Sequence, residues 1–388
     1  MFKRVLLSIV VLLVFTSSAY SVVLVSKEYP YFYKSPRAMG MGGAYVSIGG
    51  SADTLFYNPA GLSNLPADNG WEVNLLGLTG AASDNVMDFL DGMMDAFDVT
   101  DLNGDGDADD DQLRAVNDVL AKYRGDNMHV RLSDFASLAK KTGKTAYALG
   151  GLATARGDAI SHQGLGANGL LDVKADAHYG GIGGLSYAIS DRLSVGAAVK
   201  YFHRESLMHA FTTRELVDNQ DNLEDYIVDD LRESGNAVGV DAGAIYNVPV
   251  MASLKPSIGL SFLNIGDMDF GDAGEMPMTA NLGLSINPDI PTFHHLIVAL
   301  DYVDMFKNYS EDSDIGKRLR FGGELCLFSK KAIGAMIRAG LYQGYATFGA
   351  DLRLSIVTLS YVTYAEEIGA YAGQDDDRRH LAMINVGW

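Results

Sequence analysis

Residues 193–203 read Leu193-Ser194-Val195-Gly196-Ala197-Ala198-Val199-Lys200-Tyr201-Phe202-His203. Leu193, Val195, Ala197, Val199 and Tyr201 alternate with Ser194, Gly196, Ala198, Lys200 and Phe202, the period of two that sends successive side chains to opposite faces of a strand. The polar turn Ser190-Asp191-Arg192 precedes this run and separates it from a similar one at 171–189. Further along, Leu319, Phe321, Gly323, Leu325 and Leu327 oppose Arg318, Arg320, Gly322, Glu324 and Cys326. After Ser329-Lys330-Lys331, Ile333, Ala335, Ile337, Ala339 and Leu341 oppose Gly334, Met336, Arg338 and Gly340. The same reading applies to 237–247, 257–265, 278–286, 295–304, 347–354, 357–364 and 379–388, with weaker cases at 72–79, 130–139 and 145–154. The count is about fourteen, an even number, and segments of about nine to eleven residues are long enough to cross a bilayer as tilted strands.

Alternation also sorts the faces. One is aliphatic and aromatic; the other collects Asp241, Arg318, Arg320, Glu324, Arg338, Asp351 and Arg353. In a soluble sandwich the charged face meets water, whereas in a membrane barrel it turns inward. Repetition over most of the chain, 43 glycines, 20 tyrosines and the absence of linker-like stretches favour the second. The expected fold is all-β: a transmembrane antiparallel β-barrel of about 14 strands, with Arg318, Arg320, Glu324, Arg338, Asp351 and Arg353 facing the lumen. Tyr201, Tyr246, Tyr302, Tyr361 and Tyr364 suit the aromatic girdles of such barrels.

Of the 388 residues, 49 are acidic and 30 basic, a formal charge of −19, which excludes the basic stripes of a nucleic-acid partner. A single cysteine, Cys326, excludes a disulfide framework and a thiolate zinc site. Residues 1–21 read as a signal peptide: Lys3 and Arg4, an apolar run from Val5 to Phe15, then Ala19-Tyr20-Ser21. That run is short for a membrane span, so cleavage near Val22 is expected rather than an anchor. The last segment places Ala382, Ile384, Val386 and Trp388 on one face. A terminal strand ending on an aromatic residue resembles the signal read by the barrel-assembly machinery of diderm bacteria, which implies the cell outer membrane and its lipid.

Between the two ends lies Arg37-Ala38-Met39-Gly40-Met41-Gly42-Gly43-Ala44-Tyr45, followed by Tyr57-Asn58-Pro59-Ala60-Gly61-Leu62. The glycines mark tight bends or close backbone approach, and Asn-Pro marks a turn. No Lys-Ser/Thr follows the glycines, so this is not a phosphate loop. The paired motifs resemble the opening of FadL-like outer-membrane proteins, the transporters of long-chain fatty acids and other hydrophobic compounds, with PorV-like and TraF-like relatives. That resemblance implies a hatch over 22–70, to which Gly40, Gly42, Asn58, Pro59 and Ala60 would belong, plugging a barrel formed by 71–388. It implies passive uptake of a hydrophobic small-molecule ligand. The PorV-like relatives imply the alternative, a non-transporting barrel that scaffolds or shuttles secreted proteins.

A helical insertion at 85–127 interrupts the strand pattern. Val86, Phe89, Leu90, Met93, Met94 and Phe97 recur at helical spacing, as do Leu113, Val116, Val119, Leu120 and Tyr123. Between them, Asp101, Asn103, Asp105, Asp107 and Asp109, with Gly106 at the turn, follow the calcium-loop form; Gln112 stands where a bidentate Glu is usual, which lowers affinity. The expected cofactor is a structural Ca2+, against a plain solvated acidic loop. Phe89, Met93, Met94 and Phe97 either line a capture surface or pack the helices together; packing is favoured. No enzyme is expected. His178 and His203 fall on opposite faces, His294 and His295 point apart, and neither a nucleophile elbow nor an H-E-x-x-H helix is present.

Overall fold

A computed structural model describes residues 28–66, 71–99, 108–163, 169–219, 231–251, 253–290, 295–309, 314–330 and 332–388. The signal-peptide segment, the ends of the expected hatch domain (22–27 and 67–70), His294 and Asp101 to Asp107 lie outside the described residues; Asp109 lies in a helix, its side chain undescribed.

Each alternating segment is a strand: β1 Glu72–Ser83, β2 Asn127–Thr142, β3 Thr145–Gln163, β4 Gly169–Ala188, β5 Leu193–Thr212, β6 Glu233–Asn247, β7 Ser257–Leu263, β8 Thr279–Ile286, β9 His295–Tyr302, β10 Leu319–Ser329, β11 Ile333–Tyr342, β12 Tyr345–Leu354, β13 Val357–Glu367 and β14 Asp376–Gly387. Every strand pairs antiparallel with its neighbours in sequence, and β1 pairs with β14, so the sheet closes into a fourteen-stranded barrel. The seam is completed at the chain end, where the Val73 and Trp388 amides and carbonyls exchange hydrogen bonds of 2.9 and 3.0 Å. Closure satisfies every edge, which hydrocarbon demands because it offers the backbone no partner. No helix among the described residues is long and apolar enough to cross a membrane.

The faces fall as the alternation requires. Leu149, Leu185, Val199 and Val240 are exposed on the outside while Lys200, Asp241, Arg320 and Glu324 are buried inside. One girdle expectation fails. Tyr201, Tyr246 and Tyr361 are exposed, but Tyr364 is fully buried and points inward, its ring 5.3 Å from Lys34 Nζ. Tyr361 and Tyr364 are three residues apart in one strand, so they cannot share a face.

The two ends of the barrel differ. At the end bearing Trp388 the connections are tight, such as Gly143-Lys144 between β2 and β3. The opposite end carries the helices α2 Val86–Phe97, α3 Ala108–Lys122 and α4 Thr213–Asp218, the last closed by a Thr212–Glu215 capping box. α1, Pro36–Gly40, lies in the N-terminal segment. β3 to β5 run 19 to 20 residues, roughly 65 Å at strand rise, and so overshoot the bilayer at the helical end. There Phe89, Met93, Val116 and Leu120 bury against Leu171, Val173, Leu207 and Phe211, which continue the outward register of β4 and β5. The helices thus clothe the outer flank of the wall where it leaves lipid, with Phe89 and Met93 packed and Met94 and Phe97 half-buried.

Candidate functional site

The N-terminal segment runs through the barrel. Its arm, Glu28 to Ser35, alternates Tyr29, Tyr31 and Tyr33 with Pro30, Phe32 and Lys34. Glu28 is bound by Arg379 of β14 at 2.7 Å and by Lys34 at 2.5 Å, and Lys34 also reaches Glu366 of β13 at 2.6 Å. Burial alone would raise the Glu28 carboxyl, but Lys34 and Arg379 hold it well below the usual carboxylate range. Within α1, Arg37 grips Glu324 with two bonds of 2.9 and 2.7 Å. The Tyr45 and Val46 amides donate to Asp301 Oδ2 at 2.5 and 2.8 Å.

Glycines of the wall receive this backbone. A Cβ on Gly196 would overlap Pro59 and Ala60; on Gly243, the Asn58 side chain; on Gly322 or Gly340, the Met41 backbone. Gly42 itself has φ +63° and lies against the Phe321 and Leu341 carbonyls, so no other residue fits. Gly40 accepts from Thr347 at 3.1 Å. Asn58 caps the short 3-10 turn Pro59–Asn64, accepting from the Ala60 amide at 3.1 Å, and its Nδ2 donates to Val46 O at 2.7 Å. Gly40, Gly42, Asn58, Pro59 and Ala60 are therefore brought together against the inside of the wall.

Of the charged residues expected in the lumen, Glu324 joins Arg37 to Arg338 (2.7 Å), and Arg338 reaches Asp351 at 2.6 Å. Arg318 pairs with Asp304 at 3.1 Å, and Arg320 lies with its guanidinium 4.0 Å from the Tyr342 ring centre. Arg353 stands apart, half-exposed, donating to Ser329 Oγ and the Lys330 carbonyl at a turn. Gln112 donates from its amide to the Phe97 carbonyl at 3.0 Å, tying α2 to α3 across the acidic loop.

The segment leaves two cavities. One, of about 110 Å³, is walled by Tyr29, Tyr31, Phe32, Tyr33, Phe56, Tyr57, Tyr309 and Tyr342, with Met39, Val46, Leu263 and Met276 and the cations Lys34, Lys200, Lys317, Arg318 and Arg320. The other, about 830 Å³ and polar, opens at the tight-turn end and is lined by Ser47, Ile48, Lys141, Arg192 and Lys255 among others. Val46 faces the first and Ser47 and Ile48 the second, so this stretch is the floor between them. Beside the first cavity, Tyr33 and Phe56 contact Phe135 of β2, with ring centres 5.4 and 5.0 Å apart. At that point the β1–β2 ladder is interrupted between Asn74 and Thr79; the Gly77 amide donates to Asp134 Oδ1 (2.8 Å) and Asn74 Nδ2 to the Phe135 carbonyl (2.7 Å) instead.

Glu28, His129 and Asp158 place potential metal-ligating atoms within 4.8 Å of one another. Lys34 and Arg379 pair with Glu28, Arg379 also approaches Asp158, and His129 Nδ1 bonds Asp158 at 2.7 Å, while His129 Nε2 has no hydrogen-bond partner. Sequence reasoning missed the arm and its partners Glu366, Asp301 and Arg379. The alternation of three tyrosines before Lys34 was the one available signal.

Fold and site define a class: a membrane-type barrel whose interior is occupied by its own N-terminal segment, with an aromatic cavity between the two. Solved structures that share this fold include two hydrocarbon transport proteins. The toluene transporter TbuX of Ralstonia pickettii superposes with a TM-score of 0.53 at 13% identity, over 92% of this chain and 99% of that one. The deltaS2S3 mutant of the monoaromatic hydrocarbon channel TodX gives 0.51 at 11% identity, over 91% and 97%. No family model matches the chain, and no curated protein matches it in sequence.

Proposed function

We propose that the protein is a channel of the bacterial outer membrane for passive uptake of hydrophobic small molecules, with the N-terminal segment acting as a hatch. The tyrosine-lined cavity carries this reading. It is largely apolar and close in size to the ~150 Å³ cavity known to accept benzene. Structural neighbours described as toluene and monoaromatic hydrocarbon transporters support a cargo of that kind. Long-chain fatty acids exceed the cavity and would pass only with the hatch displaced. Because the floor at Val46 to Ile48 closes the straight path, exit runs either through movement of that floor or sideways past Phe135, where the β1–β2 ladder is interrupted. Differential binding along the path suffices as driving force.

The test is uptake of labelled toluene by cells expressing the full chain or Tyr342→Trp, which fills the cavity. Faster uptake with the native chain and loss with the variant supports transport; equal uptake by expressing and non-expressing cells overturns it. Two subsidiary readings accompany this one. Trp388 and its strand direct the chain to the barrel-assembly machinery. The acidic loop, Asp101 to Gln112, binds Ca2+ structurally: added calcium raises the unfolding temperature of α2–α3, and a chelator or Asp105→Asn reverses it, as thermal circular dichroism would record.

A further inference from the structure

The chain carries a formal charge of −19, yet the wall of the tyrosine cavity presents five lysines and arginines and one carboxylate, that of Asp304. Most of those cations are neutralised from behind. Lys34 is bound by Glu28 and Glu366, Lys200 by both oxygens of Asp241 at 2.8 Å, and Arg318 by Asp304. Lys317 donates to the Gly369 carbonyl, and Arg320 makes no ion pair. It is 97% buried, being 3% exposed, and no carboxylate among the described residues reaches ion-pair distance of it. Its direct contacts are neutral, the Lys317 and Leu319 carbonyls, the Tyr31 hydroxyl and the face of Tyr342, while the Glu366 and Asp301 carboxylates act on it from beyond ion-pair distance. Of the nearby acids, Glu366 is engaged by Lys34 and the Tyr342 hydroxyl; Asp301, opposite Arg320 across the β9–β10 ladder, is held at Oδ2 by the Tyr45 and Val46 amides, and its Oδ1 has no hydrogen-bond partner. A buried guanidinium without a direct ion pair is costly, and its planar fork is shaped for a carboxylate.

We infer that this cavity binds a small aromatic carboxylate, its ring among the tyrosines and its carboxylate on Arg320. The inference rests on the channel reading and narrows it. The cavity volume admits one ring and little more, the aromatic walls favour a planar π-system, and Arg320, which makes no direct ion pair, supplies the polarity of the head group. An uncharged hydrocarbon fills the same space but leaves the guanidinium unpaired. A long alkyl carboxylate satisfies Arg320 but does not fit.

The experiment uses the full chain in detergent micelles, with benzoate, benzyl alcohol and toluene as probes and calorimetry as readout. Benzoate is expected to bind at least tenfold more tightly than its neutral isostere benzyl alcohol. Arg320→Gln is expected to abolish that preference, with retained toluene binding reporting that the cavity still forms. Equal affinity for benzoate and benzyl alcohol in the unmodified protein overturns the inference without recourse to any variant, and so does an Arg320→Gln protein that folds and keeps the preference. If toluene binds and benzoate does not, the anion site is wrong and the channel reading stands. If none of the three binds, both fall.

Discussion

At the scale of single residues, Glu28 does the most to hold the N-terminal segment in place. It is 2% exposed and faces Lys34 and Arg379 directly, with Arg131 and Arg156 at 3.9 and 3.8 Å. Its native pKa is depressed, so the unfolded or undocked arm binds a proton more readily than the docked one. The stabilisation is therefore fully present above the ordinary glutamate value, about 4.3, and is lost as pH falls through the depressed native value. Glu28→Gln leaves two buried cations short of a partner, a loss on the order of 3 kcal/mol in arm docking. Protease cleavage within residues 28–35 should rise at neutral pH in that variant. The acid-induced release expected of the native chain should be blunted. Unchanged cleavage would mean that the arm is held by Arg37 and its Glu324 clamp instead.

Among the elements, the wall of β5 to β12 and the segment it encloses were shaped together. Gly196 in β5 exists for Pro59 and Ala60: its hypothetical Cβ meets only those two residues among its nearest contacts. Valine suits a strand, so Gly196→Val should leave the barrel folded yet cost about 1–3 kcal/mol in seating the segment. The expected readout is a barrel that still shows heat-modifiable migration but conducts ions more freely in planar bilayers; native conductance would place the segment's hold elsewhere. This pairing explains what was legible beforehand. Strands announced themselves through the period of two, because lipid forces every outward position within the belt to be apolar. β3 was legible only over 145–154, although it continues to Gln163, because beyond the lipid that constraint ends. The glycines of the hatch motif were conspicuous, but their wall partners Gly196, Gly243, Gly322 and Gly340 read as ordinary strand residues. The cavity was invisible for a related reason: Tyr31 and Tyr342 are 311 positions apart, and only closure of the barrel brings them to one site.

On the scale of the whole molecule, charge and apolarity are arranged inside out, and this makes lipid a structural component rather than a location. Leu149, Val199 and Val240 form a row across β3, β5 and β6, 62%, 56% and 43% exposed, with Gly183 of β4 between the first two. One position along β5, Lys200 turns the other way and is sealed against Asp241. An arginine at Val199 would meet hydrocarbon with no counter-ion, a cost of about 2–4 kcal/mol if the row lies near the bilayer midplane and falling toward zero near its surfaces. A soluble protein would accept the same arginine on an exposed strand position within about 0.5 kcal/mol. Urea titrations of Val199→Arg and Leu149→Arg in liposomes distinguish these outcomes, since both sit in the same row and should lose comparable stability. Neutral effects at both positions would turn the barrel right side out, and the cavity between hatch and wall would then open onto water rather than serve a membrane.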